Sequence, residues 1–306
     1  MLMWGHNQLG INMKGLQFYM LDVFAEEKYA GNQLAVFRNT AQLTTSEMQR
    51  IANEMHFSET TFIPTDQRKK GGYDVRIFTP NSEIPFAGHP TLGTAYVIRH
   101  EIANEAGREV RLNLKVGQIP VTFERDPSGH ETIWMQQIPP TFGKTFDSPR
   151  IARLLSIDEE DIDKRFPIQQ VSTGLPFIIT PLKTLGAVKR SRINKEEQSR
   201  IAESDETDIL VFAPETYDRK NDLNVRVFVD LLGIPEDPAT GSANGCLAGY
   251  LSRYRYLGDD HVDIRVEQGC EIGRPSLLRL KARKRGSNEH VCVGGHVVMV
   301  AEGELV

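Results

Sequence analysis

Short runs of β-branched and aromatic residues recur along the chain, separated by turns rich in glycine, proline and asparagine. Runs of this kind are typical of β-strands. In the first half the pattern predicts strands at about 16–23, 33–37, 59–63, 73–79, 110–116, 119–125 and 131–137. In the second half it predicts strands at about 168–173, 176–180, 208–213, 223–229, 262–266, 276–281 and 291–300.

Helical periodicity is confined to a few segments. Apolar residues at Met48, Ile51, Ala52 and Met55 predict an amphipathic helix, and Thr44-x-x-Glu47 ahead of it has the spacing of a capping box. Further helices are expected at 91–100, after Ser148 as N-cap with Pro149 at the first helical position, over the polar stretch 183–203, and after Ser242.

The two halves resemble each other at an offset of 150 residues. Residues 60–78 and 210–228 then align without a gap and share 6 of 19 residues. Each half continues through an Ile-Pro step to a glycine turn, at Gly88 or Gly241, and then enters a segment of small residues that predicts a helix. An internal duplication explains this better than two unrelated strand–turn–helix units, and its long period indicates two domains.

The predicted fold class is α+β. Strands outnumber helices, and each half has one apolar helix. We therefore expect two pseudo-symmetric domains, each a curved sheet around a central helix, with a cleft between them. The domains are placed at 14–128 and 129–289, and residues 1–13 are expected to form a disordered extension.

Composition narrows the class of partner. The 306 residues are 40% hydrophobic and 25% charged with a net charge of −5, which is typical of a globular protein and argues against nucleic acid as the main partner. The chain has no apolar run of membrane-spanning length and no secretory signal pattern. Three cysteines without a CxxC motif fit a reducing cytoplasm, so we expect a cytoplasmic protein that acts on a small ligand.

Familiar cofactor motifs are missing from the sequence. It contains no Walker loop, GxGxxG, HExxH or GxSxG, and its eight histidines show no ligand-like spacing. We therefore expect neither a metal nor a nucleotide cofactor. The remaining chemistry is acid/base catalysis by side chains near the two glycine turns.

The glycine turns themselves predict an anion site. A helix that begins just after Gly88 or Gly241 leaves backbone N–H groups free and places a positive dipole end at the turn. Two such ends facing each other across a cleft would bind one carboxylate substrate.

Four side chains are candidates for acid/base chemistry, and each has a structural alternative. Glu59 lies in an apolar strand where burial would raise its pKa, although an edge position in water fits the sequence as well. His89 at the helix start would be a neutral proton shuttle or merely a structural cap. Asp237 and Ser242 occupy similar places in the second half, where a turn residue and an N-cap are the alternatives.

Four motifs in matching order carry a family resemblance. They are Ala30–Val36 (AGNQLAV), Ser58–Phe62 (SETTF), Ile84–Gly93 (IPFAGHPTLG) and Glu236–Ala243 (EDPATGSA). Together they resemble the signature blocks of the phenazine-biosynthesis isomerase family (PhzF-like), over a region that runs from about Lys14 to the C-terminus.

The resemblance implies a diaminopimelate-epimerase-like fold and a cofactor-free isomerase that is commonly a homodimer. In that fold the C-terminal strand can return to the first domain, so residues 290–306 are candidates to join the domain at 14–128. The position matching Glu59 moves a proton within trans-2,3-dihydro-3-hydroxyanthranilate, and those matching His89, Asp237 and Ser242 complete the site. Asn32, on its Gly-Asn turn, is expected to contact substrate.

The epimerase branch of this fold differs at two positions. Its members use two opposed cysteines, one just before each glycine turn, where this chain has Ala87 and Thr240. Cys246 lies beyond the turn and cannot substitute. A two-thiol racemisation is therefore not expected.

The sequence thus predicts an isomerase that transfers a proton at carbon on a small cyclic or amino-acid-like carboxylate. Glu59 is the expected general acid/base, while Gly88, Gly241 and Ser242 donate to the carboxylate. A non-catalytic metabolite-binding protein on the same fold and a serine hydrolase using Ser242 with His89 are the alternatives.

Overall fold

The computed structural model describes residues 15–103, 107–125, 129–202, 208–229, 234–285 and 288–306. The expected extension at 1–13 lies outside the described residues. Within the described chain no helix is long and apolar enough to cross a membrane.

Strands dominate the first half, as predicted. They are β1 (Leu16–Val23), β2 (Asn32–Arg38), β3 (Glu59–Ile63), β4 (Tyr73–Asp74), β5 (Arg76–Phe78), β6 (Glu83–Ile84), β7 (Glu109–Leu114), β8 (Gly117–Arg125), β9 (Glu131–Gln136) and β10 (Thr141–Phe146). The helices of this half are α1 (Thr45–Met55) and α2 (Gly88–Val97), and α2 continues as a π-helical turn over Ile98–Ala103.

The second half likewise consists mainly of strands with a few helices. Its strands are β11 (Ile168–Ser172), β12 (Pro176–Pro181), β13 (Ile209–Ala213), β14 (Leu223–Val229), β15 (Ile234–Asp237), β16 (Val262–Gln268), β17 (Ser276–Arg285), β18 (Asn288–Gly295) and β19 (Val297–Leu305). Its helices are α3 (Ser148–Leu155), α4 (Leu185–Arg190), α5 (Lys195–Ala202) and α6 (Gly241–Tyr254).

The α+β class is confirmed, and the capping box is present. Thr44 Oγ1 accepts from the Glu47 backbone N–H at 3.3 Å, and the Glu47 carboxylate accepts from the Thr44 N–H at 2.7 Å. Several boundary predictions were wrong: the strand predicted at 73–79 is the two strands β4 and β5, and the helix predicted at 91–100 begins at Gly88. The N-cap of α3 is Asp147, the stretch 183–203 forms the two helices α4 and α5, and 291–300 spans the two strands β18 and β19.

The order of the strands repeats between the halves. In the sheet that contains β1 the order is β19-β1-β2-β3-β5-β6, and in the other sheet a matching series runs β10-β11-β12-β13-β14 with β15 paired to β14. The third and fourth strands of each series pair in parallel, as β2 with β3 and β12 with β13. The two halves therefore share one topology, as an internal duplication predicts.

Two ion pairs carry the same symmetry. Arg76 binds Glu83 with both its Nε and Nη2 at 2.8 Å, and Arg226 binds Glu236 in the same way at 2.9 and 2.6 Å. Each guanidinium also lies over the phenylalanine two residues further on. These arginines fix the short hairpins β5–β6 and β14–β15, which lead to the glycine turns.

The halves are joined through their sheets. β9 pairs with β18, so β4-β7-β8-β9 continues into β18-β17-β16-β14. The C-terminal strand β19 pairs antiparallel with β1. Much of the apolar core packs around α2 and α6, while α1 covers β2, β3 and β5 and α3 and α4 cover the other face of β11–β14. The boundaries at 128 and 289 remain a prediction.

Candidate active site

The two central helices begin opposite each other. A Cβ atom built on Gly88 would lie 3.5 Å from Gly241 Cα and 3.6 Å from the Ser242 backbone nitrogen. The N-cap residues are Ala87 and Thr240. Both helices lie in the described chain, and neither has a hydrogen bond to a capping side chain. The first-turn N–H groups of both helices therefore remain available to an anion, and both dipoles favour negative charge there.

A cavity of about 210 Å³ lies at this junction. Its polar lining comes from both halves: Ser58, Glu59, Thr79, His89, Asp208, Asp237, Thr240 and Ser242. Its apolar lining is Ile84, Pro85, Phe86, Ala87, Leu175, Phe177, Val229 and Ala239, with Gly88 and Gly241 between them. The cavity is thus small, mostly apolar, and polar where the helices begin, as is typical of a small-molecule site.

Glu59 is the first residue of β3 and points into this cavity. Its side chain is 14% exposed, so the alternative of an edge carboxylate in water was wrong. Burial, and secondly the nearby negative charge of Asp237, raise the pKa of Glu59 to about 8. A carboxyl group with this pKa exchanges a proton readily near neutral pH.

His89 is the second residue of α2 and is 5% exposed. Burial lowers its pKa to about 3, although a hydrogen bond from the ring to the Gln33 backbone acts in the opposite direction. The imidazole is therefore neutral at physiological pH. Because α2 has no side-chain cap, the alternative of a structural cap was wrong.

The two side chains meet inside the cavity. His89 Nε2 lies 3.3 Å from Glu59 Oε2, yet the geometry is not that of a hydrogen bond, and neither atom has a hydrogen-bond partner among the described residues. Buried polar atoms are rarely left in this state, because the loss of hydration is uncompensated. Both residues line the cavity, so a molecule bound there would lie within reach of both atoms.

Asp237 ends β15 and belongs to a buried network. Asn32 donates its amide to Asp237 Oδ1 at 2.9 Å and to the Ala239 carbonyl at 3.0 Å, while the Thr240 hydroxyl donates to Asp237 Oδ2 at 2.5 Å. Burial raises the pKa of Asp237, and these hydrogen bonds from Thr240 and Asn32 oppose the rise. Asp237 is thus more than a turn residue.

Ser242 follows Gly241 in the first turn of α6 and is partly buried. The N-cap is Thr240, so the alternative of Ser242 as a cap was wrong. Six of the seven residues predicted from the sequence line the cavity: Glu59, Gly88, His89, Asp237, Gly241 and Ser242. Asn32, predicted to contact substrate, is not among the lining residues and is joined to the site through its hydrogen bond to Asp237.

Gln268 does not line the cavity but hydrogen-bonds to two residues that do, and the sequence did not reveal this role. Its amide nitrogen donates to the Asp237 carbonyl at 2.8 Å and to the Thr240 hydroxyl at 3.0 Å, and its oxygen accepts from Asn244 at 2.8 Å. It lies at the end of β16, far from the glycine turns in sequence, in a stretch without a recognisable motif.

A cysteine and side chains of the types that bind metal ions lie near this junction. The cysteine nearest the turn, Cys246, is buried in α6, and burial raises its thiol pKa to about 11. Over the described residues no group of three His, Cys, Asp or Glu side chains could hold a metal ion.

Comparison with known proteins places this fold and site in a family. The model of the PhzC-PhzF family, "Phenazine biosynthesis-like protein", matches residues 21–303. The trans-2,3-dihydro-3-hydroxyanthranilate isomerase of Pseudomonas aeruginosa is 33% identical over 290 residues, which cover 94% of this chain and 98% of that protein. The chain belongs to the PhzC-PhzF family, and it is an isomerase.

Solved structures agree with this assignment. The crystal structure of a PhzF-family phenazine biosynthesis protein from Bacillus anthracis superposes with a TM-score of 0.86 at 29% identity, covering 95% of this chain and 99% of that one. A hydroxyproline epimerase from Agrobacterium vitis shares the fold alone, with a TM-score of 0.60 at 8% identity, covering 95% of this chain and 90% of that one. The expected epimerase-like fold class is confirmed.

Proposed function

We propose that this isomerase acts without a cofactor by moving a proton between carbon atoms of a small cyclic or amino-acid-like carboxylate, with Glu59 as the general acid/base. The observation that carries the proposal is the buried contact between Glu59 and His89, 3.3 Å apart in a cavity at two helix N-termini. A pKa of about 8 lets Glu59 act in both directions near neutrality.

The substrate carboxylate would bind where the helices begin. The first-turn N–H groups beside Gly88 and Gly241, with the Ser242 hydroxyl, supply donors and positive dipole ends. No lysine or arginine is among the described residues that line the cavity, so these groups would carry the recognition of the anion.

In the reaction the ionised Glu59 takes a proton from one carbon of the substrate, whose electron pair delocalises toward the carboxylate. The protonated Glu59 then returns a proton to another carbon on the same face, so no atom is gained or lost overall. Neutral His89 steadies the carboxyl group by its contact, and Asp237 retains a charge that keeps the Glu59 proton affinity high. The resemblance to the Pseudomonas enzyme supports trans-2,3-dihydro-3-hydroxyanthranilate as the first compound to test.

The decisive variant is Glu59→Gln, which keeps shape and removes the transferable proton. We expect turnover of trans-2,3-dihydro-3-hydroxyanthranilate to be abolished. Affinity for 3-hydroxyanthranilate, an aromatic analogue that cannot undergo this reaction, should stay within about tenfold, because the carboxylate contacts are elsewhere. Glu54→Gln, at an exposed position of α1, is the matched control. Full turnover by Glu59→Gln would refute the assignment.

The two alternative functions make different predictions. A binding protein would retain analogue affinity without isomerising any compound. A serine hydrolase needs Ser242 activated by His89, yet His89 Nε2 has no hydrogen-bond partner among the described residues. Labelling of Ser242 by a fluorophosphonate probe would favour the hydrolase, and we expect none.

The assembly and location of the protein stay predictions. We expect a homodimer from the family resemblance, which light scattering would test. A cytoplasmic location is expected from the cysteines, none of which forms a disulfide although all three lie in the described chain.

A further inference from the structure

We propose that Arg274 is a positioning residue for this active site: its guanidinium holds the backbone ahead of Asn32, and thereby sets the hydrogen bond from Asn32 to Asp237. The proposal rests on the proposed function, since it assigns Arg274 to the same acid/base group. Arg274 lies in the second half, after β16, whereas Asn32 opens β2 in the first half.

Three acceptors from the first half converge on this guanidinium. Nε donates to the Gly31 carbonyl at 2.9 Å, while Nη2 donates to the Ala30 carbonyl at 2.5 Å and to Asp22 Oδ1 at 2.6 Å. The Asp22 side chain is only 4% exposed, and its other oxygen accepts from the Tyr29 N–H at 2.6 Å. The planar fork of an arginine suits such a set of acceptors, which a lysine would only partly replace.

The backbone at this point has little freedom of its own. Gly31 has a φ of +65°, and a Cβ atom there would lie 2.4 Å from the Val23 carbonyl oxygen. The Gly31 N–H also donates to the Pro275 carbonyl at 3.0 Å. Gly31 is therefore held on both sides by residues 274 and 275, and the next residue is Asn32.

The loop that carries Arg274 also abuts Asp237. A Cβ atom on Gly269 would lie 2.6 Å from the Pro238 carbonyl oxygen and 2.4 Å from the Arg274 carbonyl oxygen. The Arg274 N–H donates to the Gly269 carbonyl at 3.0 Å. The loop at 269–275 thus contacts Pro238, next to Asp237, and hydrogen-bonds to the residues just before Asn32. It therefore fixes the positions of Asn32, the hydrogen-bond donor, and Asp237, the acceptor, relative to each other.

Arg274 acts on the chemistry through this bridge. The Asn32 hydrogen bond favours the ionised form of Asp237, and the charge of Asp237 contributes to the high proton affinity of Glu59. If the turn ahead of Asn32 is no longer held in place, the hydrogen bond from Asn32 to Asp237 is lost. The pKa of Glu59 then falls, which makes Glu59 less suited to reversible proton transfer.

The first test is a readout that needs no substrate. In ¹⁵N-labelled protein, the Asn32 side-chain amide protons, assigned by their absence from Asn32→Ala, should exchange with solvent at least ~10-fold faster in Arg274→Lys than in wild type. Arg165→Lys is the matched control, because Arg165 also binds a buried aspartate, Asp163, with its Nε and Nη2. Unchanged exchange in Arg274→Lys would overturn the proposal.

The second test is kinetic, on trans-2,3-dihydro-3-hydroxyanthranilate. We expect Arg274→Lys to lower kcat about 10- to 100-fold with KM changed less than about threefold. The limb of the pH–rate profile due to Glu59 should also move to lower pH, which a loss of folded protein alone would not produce. Equal kcat and an unmoved limb in Arg274→Lys would overturn the proposal.

A milder variant covers the case in which Arg274→Lys fails to fold. Asp22→Asn leaves the two carbonyl contacts of Arg274 and removes its charged partner, so amide exchange at Asn32 should accelerate by a smaller factor. Unchanged exchange of the Asn32 amide protons in Asp22→Asn would then overturn the positioning role of Arg274. These outcomes differ from failure of the proposed function, in which Glu59→Gln would keep full turnover whatever happens at Asn32.

Discussion

Asn32 and Asp237, 205 residues apart in the chain, are joined by a buried hydrogen bond of 2.9 Å across the two halves of the molecule. Asn32 is 1% exposed and Asp237 is 7% exposed. The bond brings a residue of the first sheet to the carboxylate that lies near Glu59. The proposed acid/base group is therefore completed only when both halves are folded together.

We predict that Asn32→Ala impairs catalysis more than folding. Asp237 loses a donor that lowers its pKa, so its ionised form becomes less favourable and its position less fixed. kcat should fall about 10- to 100-fold. Asn53→Ala, which removes an exposed bond to the Pro80 carbonyl, is the control for an asparagine side-chain deletion. An Asn32→Ala variant with kcat within twofold of wild type would contradict the role given to this bond.

The stability of the protein should depend on pH through Glu59. Its pKa is about 8 in the folded protein against 4.5 ordinarily, so the native state binds the proton more tightly. The free energy of unfolding must then fall as the pH rises from about 4.5 to about 8, by up to about 5 kcal/mol at 1.36 kcal/mol per pH unit. Glu59→Gln should not show this fall in unfolding free energy, because a glutamine side chain does not titrate.

Urea unfolding at pH 5 and pH 9 measures the difference. From pH 5 to pH 9 the free energy of unfolding should fall less in Glu59→Gln than in wild type, whereas that of Glu54→Gln should follow wild type. Parallel curves for wild type and Glu59→Gln would show that Glu59 is not a proton-binding group of the folded state.

Two glycines of α2 should respond differently to alanine. At Gly93 the added Cβ would lie 2.5 Å from Leu34 Cδ2 and 2.9 Å from Val23 Cγ2, so we expect a loss of about 1–3 kcal/mol in unfolding free energy. At Gly88 the nearest atoms are at 3.5 to 3.7 Å, which is ordinary contact. Gly88→Ala should therefore fold normally.

The effect of Gly88→Ala should appear in ligand binding. Its Cβ would lie 3.6 Å from the Ser242 nitrogen, where it crowds the approach of an anion to that N–H. Calorimetry with 3-hydroxyanthranilate should show weaker binding by Gly88→Ala and retained affinity in the folded fraction of Gly93→Ala. Equal affinity in wild type and Gly88→Ala would remove this junction as the carboxylate site.

Much of this architecture was predictable because it rests on local signals. The capping box at Thr44 and the strand periodicity each act over a few residues, and the structure confirms them. The cleft residues next to Gly88 and Gly241 were predicted because glycine turns mark where the central helices begin, whereas Glu59 was predicted as a carboxyl group in an apolar strand. Errors arose at the boundaries: β18 ends at Gly295 and β19 begins at Val297, and the N-cap of α3 is Asp147 and not Ser148.

The remainder depends on contacts between distant residues. The grip of Arg274 on Ala30 and Gly31 joins positions more than 240 residues apart, and Gln268 reaches Thr240 from another strand. Neither residue lies in a motif, so no pattern in the sequence pointed to its partner. The depth of burial that separates the pKa values of Glu59 and His89 likewise follows only from the assembled sheets.

Solvent deuterium incorporation tests the central claim most directly. Wild type and Glu59→Gln would be incubated in heavy water with trans-2,3-dihydro-3-hydroxyanthranilate and a panel of small cyclic and amino-acid carboxylates, and each compound analysed by mass spectrometry. We predict that wild type and Glu54→Gln incorporate one deuterium at a carbon atom of the compound that is the substrate, and that Glu59→Gln incorporates none. Incorporation at the wild-type rate by Glu59→Gln would contradict the account.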